Sequence, residues 1–360
     1  MPPVAKIVPE AMTIHGDTRV DDYFWLRDRN DPDTIPYLEA ENRYTDETLR
    51  HTEALQKQLY DEMLGRIQQT DSEVPLKRDE YFYYTRTEEG KQYPIFCRKH
   101  GSVDAAEEVL LDGNALAEGQ DYFRVGSFSP SPNHKLLAYS VDFSGDETYT
   151  IRVKNLETGE LLADEIPNTY YTLEWANDNA TFFYTVLDEA LRPHQVWRHR
   201  LGVAQNTLVY HETDERFTLE VDRSRSRAFL LICIDSHTTS EVRVVDANQP
   251  EGEFRPIIPR VQDVEYDVTH HSDGSGAGSW FARISDTAKT FRVVEIPAAN
   301  PAKENWKELL PARKSITVES VTAFREYLVI EERNRGLTEV RIRHLASGAD
   351  YLIPFAEPSY

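Results

Sequence analysis

The side chains that could carry out chemistry are serine, histidine, cysteine and the carboxylates, and their spacing decides what they can do. A serine hydrolase of the α/β type places its nucleophile in Gly-x-Ser-x-Gly, on a tight turn from strand to helix. Serines stand close to glycines, for example at Ser127, Ser275 and Ser279, but none has this pattern. The zinc motifs His-Glu-x-x-His and Cys-x-x-Cys are absent as well. We therefore assign no catalytic residue within these 360 residues.

Two small clusters contain side chains that can bind metal ions. The first is His270, His271 and Asp273, but neighbouring residues of a strand point to opposite faces, so the two imidazoles cannot share an ion without a bulge. The second comprises Asp142, Asp146 and Glu147, whose oxygens would suit calcium. The turn residues between them fit a solvated hairpin better. We predict no metal site.

A glycine-rich stretch covers residues 274–278, with the sequence Gly-Ser-Gly-Ala-Gly. It lies between two strand-like segments and precedes no helix. A phosphate-binding loop needs a helix N-terminus, so a hairpin connection is the better interpretation. We predict no cofactor.

The composition restricts the possible partners and the cellular location. Lys and Arg number 40 against 62 Asp and Glu, a formal charge of −22. Nucleic acid is excluded because phosphate binding needs a basic face, whereas an acidic field attracts cationic peptides or serves solubility. No window approaches 18 apolar residues and the N-terminus lacks a signal peptide, so no membrane partner is expected. Cys97 and Cys233 lie in apolar runs, which predicts buried, reduced thiols and a cytoplasmic location.

An arginine recurs in the middle of six strand-like segments. The spacings are 54, 46, 45, 49 and 49 residues, and the positions are Arg98, Arg152, Arg198, Arg243, Arg292 and Arg341. An apolar strand precedes each of them, such as Leu136 to Val141, and the connections are too short for crossover helices. Periods of 40 to 50 residues with several strands are typical of β-propellers. The fold class is therefore mainly β, a propeller of about six blades over residues 76–360, rather than a β-sandwich.

Residues 1–75 have a different pattern and form a predicted helical extension. Leu55, Leu59 and Met63 fall at i, i+4 and i+8 on one helical face. A break near residues 45–52 predicts two helices rather than one. Their apolar face needs a partner surface.

Several phrases resemble known proteins. Two N-terminal segments and residues 131–140 are similar in sequence to the prolyl oligopeptidase family of serine peptidases. Three further segments are similar to the oligopeptidase B branch of that family. The family phrases are Asp22 to Asp28 and Tyr37 to Asn42, and the branch phrases are Ile14 to Arg19, Thr238 to Arg243 and Glu331 to Thr338.

The resemblance implies an architecture and an activity. In this family a seven-bladed propeller is inserted between a helical N-terminal segment and an α/β-hydrolase domain that carries Ser, Asp and His. The chain would then be the N-terminal propeller part of a serine oligopeptidase that cleaves short peptides after Lys or Arg. The propeller would gate access to the hydrolase domain, residues 1–75 would pack on that domain, and the propeller would be incomplete at its C-terminal end.

Two residues are carried over from the resemblance as interdomain contacts. By position, Asp121 at the start of the second blade and Arg152 on its third strand resemble the residues that bridge the propeller and the hydrolase domain in bacterial relatives. Ordinary surface charge is the alternative for both. For the whole chain the alternative is a non-catalytic propeller scaffold for protein interactions, although a scaffold has no need of an amphipathic helical extension.

The polypeptide alone is expected to be inactive, because it contains no nucleophile motif. We expect a serine-directed phosphonate to leave every serine of the purified chain unlabelled, as read by mass spectrometry. An intact serine peptidase serves as the positive control. Stoichiometric labelling of any serine in the chain would contradict the prediction.

Overall fold

The computed structural model describes residues 1–272, 274 and 276–359. They form two compact units, one of Met1–Ser72 with Thr87–Gly90 and the other of Glu73–Arg86 with Lys91–Tyr360. Of the residues considered above, Asp273 and Ser275 lie outside the described residues.

The first unit is a hairpin followed by two helices. Its elements are β1 (Glu10–Ile14), β2 (Asp17–Asp21), α1 (Thr34–Leu49), α2 (Glu53–Gly65) and the short β3 (Asp71–Ser72). A 3₁₀ turn at Arg50–Thr52 separates the helices, so the predicted break is confirmed. Trp25 is buried in a 3₁₀ turn and its ring lies edge-on to Tyr37, at 6.2 Å between centroids.

The apolar face of the second helix is open. Leu55, Leu59 and Met63 are all exposed on α2. None of the described helices combines the length and the apolar character that crossing a bilayer requires.

Six groups of four consecutive antiparallel strands, here called blades 1 to 6, make up the second unit. Blade 1 contains β4 (Leu76–Arg78), β5 (Tyr81–Thr87), β6 (Ile95–His100) and β7 (Glu107–Asp112), and a helical turn, α3 (Gly113–Leu116), follows it. Blade 2 contains β8 (Arg124–Pro130), β9 (Leu136–Asp142), β10 (Tyr149–Asn155) and β11 (Leu161–Thr169). Blade 3 contains β12 (Leu173–Trp175), β13 (Thr181–Leu187), β14 (Pro193–Arg200) and β15 (Thr207–His211).

The other three blades repeat this order. Blade 4 contains β16 (Thr218–Arg223), β17 (Phe229–Asp235), β18 (Ser240–Asp246) and β19 (Arg255–Pro256). Blade 5 contains β20 (Tyr266–His271), β21 (Ser279–Ile284), β22 (Arg292–Pro297) and β23 (Lys307–Leu310). Blade 6 contains β24 (Ile316–Ala323), β25 (Tyr327–Asn334), β26 (Leu337–His344) and β27 (Asp350–Leu352). The prediction of a mainly β propeller with six blade-like units in this chain is confirmed.

The core lies between neighbouring blades. Alternate residues of one strand face opposite sides of its sheet. On β17, Leu230 and Ile232 belong to the apolar cluster shared with blade 3, and Leu231 belongs to the cluster shared with blade 5. β17 is therefore apolar on both faces, which explains its run of Phe, Leu and Ile residues.

The six recurring arginines lie on the third strand of each blade, and all of them form ion pairs. The partners of four include a carboxylate on the adjacent fourth strand, namely Glu108 for Arg98, Glu165 for Arg152, Glu308 for Arg292 and Asp350 for Arg341. Arg198 pairs with Glu251 and Arg243 with Glu241. The arginine repeat thus follows from blade geometry.

The two cysteines are free thiols, but only one is fully buried. Cys97 is buried, and burial, with Glu107 as a further cause, raises its pKa to about 11. Cys233 keeps some exposed surface, although burial raises the pKa of its thiol, so the prediction of burial holds only in part for this residue. Cys233 follows Ile232 on β17, whose side chain packs toward blade 3, and it lies at the edge of the cluster between blades 4 and 5.

The burial of the ion pair decides the effect of removing the repeated arginine. The Arg98 side chain is 5% exposed and that of Arg152 is 30% exposed. Arg98 Nε lies 2.8 Å from Glu108 Oε2, and Nη1 donates to the His134 carbonyl oxygen at 2.6 Å. We expect Arg98→Ala to lower the free energy of unfolding by about 3 kcal/mol.

Arg152→Ala is the matched control, because it stands at the same repeat position in a more exposed pair. It is expected to cost less than about 1 kcal/mol. Chemical denaturation of both variants measures the difference. Equal losses would contradict the dependence on burial.

Candidate functional site

The first strands of the blades line a central channel. The first strand stands at one edge of its blade, and β12 contacts both β8 and β16, as β20 contacts β24. On β16, the exposed residues Thr218, Glu220 and Asp222 alternate with buried Leu219 and Val221. The alternate side chains of this strand that do not enter the core therefore point into the channel.

Carboxylates dominate one side of the channel, on blades 3 to 5. We call this set the acidic wall, and its members are Glu174, Glu220, Asp222, Asp235 and Asp267. Burial, followed by the neighbouring Asp222, raises the pKa of Glu174 to about 7. Burial also raises the pKa of Asp235 to about 6, with further contributions from Asp267, Glu220 and Glu265. The carboxylates therefore lie close enough to repel one another.

Most of this charge is not neutralised within the protein. Asp267 forms an ion pair with Arg283, at 2.6 Å from Oδ2 to Nε. In the described part of the chain, Glu220 and Asp235 have no lysine or arginine within ion-pair distance. Carboxylates without a counter-cation can accept hydrogen bonds from a cationic ligand.

A cavity at one mouth of the channel combines such carboxylates with aromatic rings. It has a volume of about 430 Å³ and is lined by Glu220, Asp235, Tyr170 and Tyr171, and also by Arg192, whose guanidinium pairs with Asp188. The two tyrosine rings are 4.1 Å apart between centroids. Aromatic faces beside carboxylates suit a guanidinium or ammonium group.

The predicted interdomain residues lie apart from this wall. Asp121 is exposed in the connection between α3 and β8. Arg152 Nε lies 3.3 Å from Glu165 Oε2, and its guanidinium carbon is 5.9 Å from the Phe143 ring centroid. No contact joins Asp121 to Arg152 among the described residues, and their role toward a second domain stays a prediction.

The two adjacent histidines have separate partners. His270 Nδ1 lies 2.7 Å from Ser226 Oγ, and its Nε2 lies 2.8 Å from the Ala277 carbonyl oxygen. His271 Nε2 lies 3.0 Å from the Arg325 carbonyl oxygen. The two rings therefore hold turns of different blades, and the third member considered for a metal site, Asp273, lies outside the described residues.

Sequence reasoning did not single out the acidic wall. A signal was present, because Leu219-Glu220-Val221-Asp222 alternates apolar and acidic residues as a half-buried strand does. The sequence does not reveal which of four strands is innermost, so this alternation could not be assigned to the channel.

Comparisons with known proteins agree with this architecture. Residues 2–360 match the family model described as "Prolyl oligopeptidase, N-terminal beta-propeller domain". The chain is 37% identical to "Protease 2" of Moraxella lacunata, covering 99% of the chain and 52% of that protein. It is also 37% identical to "Dipeptidyl aminopeptidase BI" of Pseudoxanthomonas mexicana, covering 98% and 51%.

A solved structure shows the same similarity. Oligopeptidase B from Leishmania major matches with a TM-score of 0.91 and 28% identity, over 99% of this chain and 54% of that one. The chain thus spans about half the length of the curated relatives that it matches.

The raised pKa of Glu174 makes stability depend on pH in a defined direction. Between its ordinary value of 4.5 and about 7, the folded protein holds a proton that the unfolded chain releases. The folded state therefore loses stability as the pH rises through this window. Glu174→Gln should remove this loss of stability, so the variant should be more stable than the wild type at pH 8 by about 1–2 kcal/mol. One pKa unit corresponds to about 1.4 kcal/mol, and water in the channel reduces the effect.

Thermal unfolding at pH 5 and pH 8 measures this difference. Glu118→Gln, at an exposed site after α3, is the control and should change neither value. A Glu174→Gln variant with the same pH dependence as the wild type would contradict the assignment.

Proposed function

The chain belongs to the prolyl oligopeptidase family of peptidases, and from this premise we propose that it is the propeller of a serine oligopeptidase of the oligopeptidase B type, which cleaves short peptides after Lys or Arg. The observation that carries the proposal is the family match over residues 2–360. Hydrolysis itself would follow the Ser-His-Asp scheme in an α/β-hydrolase domain, since these 360 residues contain no nucleophile motif.

The acidic wall supports the preference for basic peptides. Glu220 and Asp235 face the channel without a cationic partner in the described chain, and Tyr170 and Tyr171 stand beside them. A short peptide with an Arg or Lys side chain would be attracted by this charge and would be held against the rings. In this scheme the propeller gates access, because only a peptide narrow enough for the channel reaches the hydrolase domain.

The helical extension supports a second domain as the partner. Leu55, Leu59 and Met63 are exposed on one face of α2, and an apolar face of this kind is normally covered. We propose that residues 1–75 pack on the hydrolase domain, with Asp121 and Arg152 as polar contacts to it. The free thiols of Cys97 and Cys233 support a cytoplasmic location.

A binding experiment on the chain itself tests the peptide preference. Fluorescein-labelled tetrapeptides that end in Arg-Arg or Gln-Gln are titrated with the protein and followed by fluorescence anisotropy. We expect the arginine peptide to bind at least tenfold more tightly, and added salt should weaken its binding because the attraction is electrostatic.

The double variant Glu220→Gln/Asp235→Asn should lose most of that difference. Asp104→Asn/Glu118→Gln is the matched control, because it removes the same charge from exposed turns of blade 1. Equal affinities for the two peptides, or an equal loss in the control, would contradict a channel that selects cations.

A further inference from the structure

The first turn of blade 4 contains three arginines in alternation with serine. The sequence from Arg223 to Arg227 is Arg-Ser-Arg-Ser-Arg, and the turn joins β16 to β17. In every blade the corresponding turn joins the innermost strand to the second one. The described residues of these turns therefore lie around the same end of the channel.

Two of these arginines contact blades that are not neighbours of blade 4. Arg227 Nη1 lies 2.5 Å from Oδ2 of Asp79, in the first turn of blade 1. The guanidinium carbon of Arg225 lies 4.2 Å from the ring centroid of Phe324, which follows the first strand of blade 6. Blades 2 and 3 separate blade 4 from blade 1, and blade 5 separates it from blade 6. Both side chains therefore extend over the channel.

Asp79, the partner of Arg227 in blade 1, is held in place by a further hydrogen-bonded side chain. Asp79 Oδ2 also lies 3.0 Å from His134 Nε2, and His134 Nδ1 lies 2.8 Å from the Tyr83 hydroxyl. The hydrogen bond from Arg227, followed by that from His134, keeps the pKa of Asp79 below its usual range despite partial burial. Asp79 is therefore ionised and oriented toward the channel at neutral pH.

The blade 4 turn is fixed by both neighbouring blades. Asn177 of blade 3 donates from Nδ2 to the Arg227 carbonyl oxygen at 3.2 Å, and Ser226 Oγ lies 2.7 Å from His270 Nδ1 of blade 5. Arg223 is directed to blade 3, where its guanidinium donates to the Asn177 side chain and to the Trp175 carbonyl oxygen. Arg227 has a φ of 62°, in the left-handed region that a long side chain rarely adopts. Asp79, His134 and Asn179 have a similar left-handed φ in the corresponding turns of blades 1 to 3, so this conformation belongs to the repeat. Within the turn, Arg225 and Arg227 are the side chains that extend over the channel.

We propose that Arg225 and Arg227, with Phe324 and Asp79, form a latch that closes this end of the channel. Peptides would then reach the acidic wall from the opposite end, where the cavity with Glu220 and Asp235 opens. Arg227 and Asp79 are 39% and 46% exposed, so the ion pair is accessible to salt. The proposal adds an entry direction to the proposed function, but its test needs neither a peptide nor a peptidase activity.

Two introduced thiols on β16 report access from each end. Asp222→Cys places a thiol next to the latch, and Thr218→Cys places one at the other end of the same strand. Both native residues are exposed, and each has a buried neighbour on the strand, Val221 and Leu219 respectively. Alkylation by a bulky polar maleimide is followed at each position by peptide mass spectrometry, with and without Arg225→Ala/Arg227→Ala.

We expect loss of the latch to raise the alkylation rate at position 222 at least tenfold and at position 218 less than twofold. Asp79→Asn/Phe324→Leu changes the same two contacts from the other side and should act in the same direction. If circular dichroism shows that the arginine double variant does not fold, the alkylation rates of Asp79→Asn/Phe324→Leu test the proposal instead. No change at position 222 in a folded variant, or an equal rise at both positions, would overturn the latch.

Discussion

The structure depends on apolar packing between neighbouring blades. No blade has a core of its own, because a single four-stranded sheet has two faces and each must be covered by another sheet. β17 shows the solution, with Leu230 and Ile232 packed toward blade 3 and Leu231 toward blade 5. At roughly 25 cal/mol per Å² of buried apolar surface, these interfaces supply most of the stabilisation. Blade order and spacing follow from that requirement.

The same requirement determines where charges can stand. β17, the second strand of blade 4, is apolar on both faces, so charged side chains stand mainly on other strands or at strand ends. At the third strand, the repeated arginines are neutralised by carboxylates of the fourth strand or of adjoining segments, as with Arg98 and Glu108. The first strand of each blade, by contrast, borders the water-filled channel. A carboxylate such as Glu220 can remain there without a cation, and burial, followed by the neighbouring Asp222, raises its pKa.

Features that repeat along the chain could be predicted from the sequence, and contacts between distant repeats could not. The strand run from Leu136 and the helix break at Arg50–Thr52 follow from local patterns. The different burial of Arg98 and Arg152 does not, because the next blade decides it. Arg227 and Asp79 are 148 residues apart, and only the arrangement of the blades around a channel brings them together. The partial exposure of Cys233 does not follow from local patterns either, because an apolar run does not show which positions lie at the edge of a cluster.

A net charge of −22 therefore says little about where a ligand binds. Much of the acidic surplus is either solvated on the exterior or paired, as Glu332 is with Arg313 and Arg341. A cationic ligand gains most where carboxylates are close together, partly buried and without a counter-cation, because water screens them less there. Glu220 and Asp235 are close enough to affect each other's charge and have no counter-cation among the described residues, whereas Arg225 and Arg227 stand at the other end of the channel. The two ends of the channel therefore differ in the charge that they present, and this distribution of charge, rather than its total, distinguishes one end from the other.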